Sequence, residues 1–178
     1  LEMLYEAGEG ITGTPTGFID LAELLSGLQP SALIIVGARP AMGKTAFALN
    51  VAAHAAVREQ KPTLIFSLEM GHLELTQRML CSEANVDAKN MRDGKLNDDD
   101  WNRISNGIGR LADAPMWIDD NPNLTIMEIR AKARRLKSQA GGLGLIVVDY
   151  LQLMSGRAGA ENRQVEVSEI SRGLKILA

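Results

Sequence analysis

Ala32-Leu33-Ile34-Ile35-Val36-Gly37-Ala38-Arg39-Pro40-Ala41-Met42-Gly43-Lys44-Thr45-Ala46-Phe47 is the stretch whose reading decides the fold. An apolar, β-branched run enters a glycine-bearing loop that ends in Gly-Lys-Thr, and the helical pattern Ala46 to Ala52 follows. Strand, loop and helix in that order form the context of a phosphate-binding loop. The loop N–H groups and the positive end of the helix converge on one spot and favour an anion there. Ala38, Arg39, Pro40, Ala41, Met42, Gly43, Lys44, Thr45 and Ala46 are therefore the expected nucleotide-binding residues. Lys44 would reach the outer phosphates, and the Thr45 hydroxyl would ligate Mg²⁺. Ala38 stands where such loops usually place their first glycine, with Gly37 just before it. Alanine at positive φ would cost about 1 kcal/mol or more, so the loop is expected to pass Ala38 at negative φ. The stretch reads as the binding loop for a nucleoside triphosphate.

Outward from it, strand and helix patterns alternate. Phe18 to Leu28 is expected to hold a short helix with Asp20 as N-cap, and Leu33 to Val36 the first strand. The loop helix runs from about Gly43 to Arg58. A second strand, Thr63 to Leu68, ends at Glu69 and leads into a helix from Gly71 to Ala84. Asn97-Asp98-Asp99-Asp100 opens another helix, its acids favouring the positive helix end rather than a metal. Met116-Trp117-Ile118 is a third strand, and Thr125 with Glu128 forms a capping box for a helix ending at Gly141-Gly142. Leu145-Ile146-Val147-Val148 is a fourth strand, ending at Asp149. Nearly continuous apolar strands between helices predict an α/β fold, a mainly parallel sheet covered on both faces.

Ligands of such sheets sit beyond the carboxyl ends of the strands, so acids that end strands fall near the phosphates. Asp149, after a fully apolar strand, fits a Walker-B aspartate that holds Mg²⁺ directly or through water. Glu69 would orient and deprotonate a water attacking the γ-phosphate. Asp119 leads into Asp120-Asn121-Pro122, which is turn composition and a structural role.

Composition sets the remaining bounds. With 178 residues the chain suits one domain, and a net charge of −3 argues against a broadly basic surface. The single cysteine, Cys81, excludes an internal disulfide framework and is expected to be a buried structural thiol. His54 and His72 are too few for a zinc cluster. No apolar stretch approaches about 20 residues, and no signal peptide is evident, so a cytoplasmic protein is expected. Residues 1–17, acidic and then rich in Gly, Thr and Pro, read as a linker entering the domain. Leu1 is no initiator methionine and the last helical pattern runs to Ala178 without a stop signal, so a segment of a longer protein is expected.

Three strings then resemble one family. Gly37-Ala38-Arg39-Pro40-Ala41-Met42-Gly43-Lys44-Thr45, Phe66-Ser67-Leu68-Glu69-Met70 and Val148-Asp149-Tyr150-Leu151-Gln152-Leu153-Met154 look like the motifs of bacterial replicative helicases of DnaB type. Glu169-Ile170-Ser171-Arg172-Gly173-Leu174-Lys175 and Gly27-Leu28-Gln29-Pro30 resemble the same family, over essentially the whole chain from Gly13 onward. The resemblance implies a RecA-like motor domain over 18–178, incomplete at its C-terminal end, with 1–17 a linker remnant. It implies ATP and Mg²⁺ as cofactors, Lys44 and Thr45 as the Walker-A pair, Glu69 as the base for water and Asp149 as the Walker-B acid. Arg78 matches a family arginine near the nucleotide, and Ala-Arg-Pro in the loop is ordinary for the family. It further implies a homo-hexamer translocating on single-stranded DNA, with primase and a helicase loader as partners.

Ser155 to Arg163, small and polar, matches a family loop facing the central channel. Arg157, Asn162 and Arg163 are its candidate DNA contacts, touching phosphates and not bases. Aromatics at 4% leave little for a base-stacking platform. The cations Arg130, Lys132, Arg134, Arg135 and Lys137 share a helix with the apolar stripe Ile126, Ile129, Ala133 and Leu136, and read as its solvated face. Met70, Met79, Met91, Met127 and Met154 are expected to fill core. Competing functions are a RecA-like recombinase or clock-type ATPase of the same fold, a P-loop small-molecule phosphotransferase, and a nucleotide-gated scaffold.

Overall fold

Three parallel strands, β1 (Thr63–Ser67), β2 (Met116–Asp119) and β3 (Leu145–Asp149), pair in the order β2-β1-β3. The structure is a computed structural model and describes residues 11–154 and 163–178. Its helices are α1 (Ile19–Leu25), α2 (Lys44–Ala53, continued by a π-helical turn to Arg58), α3 (His72–Ala84), α4 (Ala88–Asp93), α5 (Asp98–Asp113), α6 (Ile126–Gln139) and α7 (Arg163–Leu177).

The alternation of β1 builds two cores. Leu64 and Phe66 point to one face, where Leu124, Ile129 and Ala133 of the α6 region and Ile170 and Leu174 of α7 enclose them. Ile65 points to the other, against Leu49 and Ala52 of α2 and Leu75 and Met79 of α3. Every residue of β1 is buried, because strands flank it and helices cover both faces. A third cluster, Ala84, Val86 and Ile104, joins α3 to α5. There the helices approach closely at Gly107, where an added Cβ would lie 3.2 Å from Leu80 and 3.3 Å from Ala84. In-register pairing sets Phe66 beside Asp119 and Ser67 beside Asp149, so all three strands end at one rim.

Local signals explain several helix starts. Thr125 and Glu128 form the expected capping box of α6, and Asn97 with Asp100 forms another at α5. Cys81 is buried at 6% exposure. The α6 stripe Ile126, Ile129, Ala133 and Leu136 faces the core as expected.

Three expectations are corrected, and one element is added. Leu33–Val36 forms no strand; Ile34, Ile35 and Val36 are 46%, 71% and 48% exposed, and only Leu33 packs on the core. A strand exists by pairing, and this run has the composition of one but no ladder partner among the described residues. Asp20 lies in the first turn of α1, and the N-cap is Phe18 without a side-chain bond. Met127 is 67% exposed, since it falls between the core positions Ile126 and Ile129. The short helix α4, capped by Asp87 on the N–H groups of Lys89 and Asn90, was not read from the sequence, being too short to show a period.

Phe66→Ala should cost about 3–5 kcal/mol of stability, by removing a side chain central to the larger core. Thr125→Ala should cost about 1 kcal/mol, through loss of one cap. Urea unfolding of both variants, followed by far-UV circular dichroism, checks the order and the sizes.

Candidate active site

Two left-handed residues shape the loop ahead of α2, Ala41 at φ +62° and Gly43 at φ +83°. Ala38 is not among the positive-φ residues. The strain therefore falls on Ala41, about 1 kcal/mol for an L-residue, where the Met42 N–H closes a turn on the Arg39 carbonyl at 3.2 Å. Gly43 caps α2 without a side-chain bond, which leaves the first-turn N–H groups of the helix for an external acceptor. Ala38, Arg39, Pro40, Ala41, Met42, Gly43 and Ala46 are exposed, and Lys44 and Thr45 half-buried.

Asp149, at the end of β3, is 6% exposed. A carboxylate this buried needs partners, and α2 supplies one for each oxygen. The Thr45 hydroxyl donates to Oδ2 at 2.6 Å, and the Lys44 Nζ lies 3.2 Å from Oδ1. The same ammonium sits 3.5 Å above the centre of the Tyr150 ring, a cation–π contact. Tyr150 was missed as a site residue; the signal available was an aromatic directly following a strand-ending acid opposite a lysine.

Glu69 is exposed, two residues beyond Ser67, the register partner of Asp149. The ladder is prolonged by the Leu68 N–H donating to the Asp149 carbonyl at 2.8 Å, so Glu69 stands at the same rim as Asp149. Its carboxylate has no hydrogen-bond or ion-pair partner among the described residues. Arg78 is on α3 and pairs with Glu74, one turn earlier, at 2.8 Å, and not with the loop residues. Asp119 pairs with Lys132 of α6. Arg163 opens α7 and donates to Glu166 and to the carbonyls of Gln152 and Met154, so its guanidinium ties the end of the strand-β3 loop. Arg157 and Asn162 lie outside the described residues.

Asp120 accepts from the His72 backbone N–H at 2.8 Å and lies 2.7 Å from its Nδ1. The backbone bond first, then the ring bond, hold its carboxyl below the usual carboxylate range.

A parallel sheet whose rim gathers Gly-Lys-Thr at a helix start and a strand-ending aspartate defines a RecA-like P-loop fold. The profile of the DnaB-like helicase C terminal domain matches residues 13–178, and the chain belongs to that family. It is 53% identical to the replicative DNA helicase DnaB of Geobacillus stearothermophilus, across the whole of this chain and 39% of that protein. With the replicative DNA helicase DnaC of Bacillus subtilis (strain 168) it shares 50% identity, again over 39% of the relative. Among solved structures, the ATPase domain of G40P superposes at a TM-score of 0.92 with 30% identity, covering 99% of this chain and 63% of that one. A DnaB-like replicative helicase, described with its interactions with primase, gives a TM-score of 0.91 at 30% identity, covering 99% and 42%. The chain thus spans well under half the length of these curated relatives. Membership sets the recombinase, clock-type and phosphotransferase alternatives aside.

Because Asp120 is stabilised as an anion, its contribution to stability is present above the unfolded-state value and lost as pH falls through the lower folded one. NMR of the carboxyl carbon should show Asp120 titrating below other exposed aspartates. His72→Ala should move it only part of the way back, since the backbone N–H remains.

Proposed function

We propose that this chain is the nucleotide-hydrolysing part of an ATP-driven replicative DNA helicase. The observation that carries the reading is the convergence of Lys44 and Thr45 on Asp149, with an unpaired Glu69 at the same rim of the sheet. Residues 18–178 form the motor part and residues 1–17 the end of a linker.

The donors present fit Mg²⁺. Thr45 Oγ1 and Asp149 Oδ2 are hard oxygens already 2.6 Å apart, and Asp149 brings the negative charge such a cation requires. When bound, Mg²⁺ supplies charge neutralisation at the β- and γ-phosphates. Lys44 and the free N–H groups at the start of α2 bind and orient the phosphates. Glu69, exposed and free of competing cations, takes the proton of the attacking water at its carboxylate. Arg78 reaches the nucleotide by leaving Glu74, an exposed pair worth under about 1 kcal/mol. Turnover would drive a homo-hexamer along single-stranded DNA, which Arg157, Asn162 and Arg163 would touch through phosphates. Primase and a helicase loader would be its partners, on the interaction of a related helicase with primase and on family likeness.

In the full-length protein, Glu69→Gln should retain Mg-ATP binding while hydrolysis falls by about 10²–10⁴, the usual worth of a general base. Equal loss of binding and turnover in nucleotide-titration and phosphate-release assays would remove Glu69 from that role. Neutralising Arg157 and Arg163 together should lower the salt slope of single-strand binding by about 1.4, at roughly 0.7 per phosphate contact. Fluorescence anisotropy across a salt series measures it, and an unchanged slope would take both residues out of the DNA contact.

A further inference from the structure

Glu69 sits in the turn Ser67–Met70 and its carboxylate makes no hydrogen bond or ion pair among the described residues, yet the turn is fastened at both ends. On the strand side, the Ser67 hydroxyl donates to the Met70 carbonyl at 2.7 Å and accepts from the Met70 N–H at 3.2 Å. Ser67 is 2% exposed, so this hydroxyl exchanges little with water. On the helix side, Gly71 is the N-cap of α3 and has no side chain with which to cap it. The missing acceptor comes from another strand end. Asp120 Oδ2 takes the His72 N–H at 2.8 Å and the His72 ring at 2.7 Å, and lies 3.7 Å from where a Cβ on Gly71 would be. Its neighbour Asp119 is tied to Lys132 of α6, so the strand end that carries Asp120 is itself anchored.

We propose that Asp120, acting through His72, and Ser67 are positioning residues for Glu69, a two-ended brace that fixes the turn while leaving the carboxylate free. The inference rests on the reading of Glu69 as the base for water. A base must be held within about half an ångström of its productive position, and misplacement by about 1 Å costs on the order of 10²-fold in rate. A residue that needs an unencumbered carboxylate cannot be held by that carboxylate, so its backbone must be held instead. Ser67 and Asp120 do so from two different strands, one on each side of the turn. Asp120 is kept ionised by its bonds to His72, and an ionised carboxylate only accepts, which is the role the cap demands.

The test is a double-mutant cycle in the full-length protein, combined with amide hydrogen exchange. Asp120→Ala should lower kcat about tenfold with KM for ATP within about twofold, and Asp120→Asn, which keeps an oxygen for the His72 N–H, should recover part of it. On the Glu69→Gln background, Asp120→Ala should cost nothing further, because its effect passes through Glu69. An equal loss on both backgrounds would mean that Asp120 merely stabilises α3, and would overturn the proposal. Exchange at Met70, Gly71 and His72 in the nucleotide-free protein should quicken at least about tenfold in Asp120→Ala, with Leu64 to Phe66 unchanged. Unaltered exchange at those amides would overturn the brace with the role of Glu69 intact. Undiminished turnover of Glu69→Gln alone would overturn that role, and the positioning inference with it, while exchange still reports whether the turn is held.

Discussion

The burial of Asp149 is the constraint on which the arrangement depends. A carboxylate at 6% exposure without partners would cost several kcal/mol. The partners it finds, Lys44 and Thr45, are the first two residues of α2. The loop before α2 makes no ladder bonds to the sheet, so this junction is what fixes its far end. Its near end is held by Lys175 of α7, whose Nζ donates to the Ser31 carbonyl at 2.7 Å. Between those two points the chain is exposed and carries its own strain at Ala41. A segment tied at both ends and open in the middle suits a loop that wraps an anion with its backbone.

The rim exists because β1 is central. Its two neighbours pair with it in parallel, so their ends and its own must fall on the same side. Leu64 and Phe66 are locked into one core and Ile65 into the other. A slip of one residue would exchange those faces and expose both sets. The same register that satisfies the cores therefore sets Ser67 opposite Asp149, and hence Glu69 at the same rim as Asp149. The position of the candidate base is thus fixed by the hydrophobic packing of the strand that leads into it.

Much of this was legible in residue order. The strands of the sheet, the capping box at Thr125 and Glu128, and the acids that end strands follow from periodicity and local chemistry, which neighbours in sequence carry. Leu33–Val36 was misread because composition reports a preference for pairing and not the presence of a partner. Asp20 was misread because an aspartate suits the N-cap and the first helical turn alike, and the extended backbone at Phe18 starts the helix one residue before it. Asp120 read as a turn residue, since nothing in Asp-Asn-Pro reveals that the N–H of His72, 48 residues away and behind a glycine N-cap, lacks an acceptor. Tyr150 gained its role from a lysine on another element. The contacts that escaped are those whose two halves come from distant parts of the chain.

On the proposed reading, the resting contacts of the loop also bear on how it works. Lys44 and Thr45 are held by one carboxylate, in the neighbourhood where phosphate and metal would use them. A ligand arriving there exchanges partners instead of ordering free side chains, and less conformational entropy is lost on binding. Exchange requires that the resting contacts be weaker than those replacing them. The Lys44–Asp149 separation of 3.2 Å meets that condition, being longer than the roughly 2.7–2.9 Å of a well-formed charge-assisted bond. Asp149 would lose a lysine and gain a doubly charged cation, so its buried charge stays compensated throughout. On that reading burial of Asp149 would serve two states: in one it gathers the loop, and in the other it would help retain the metal.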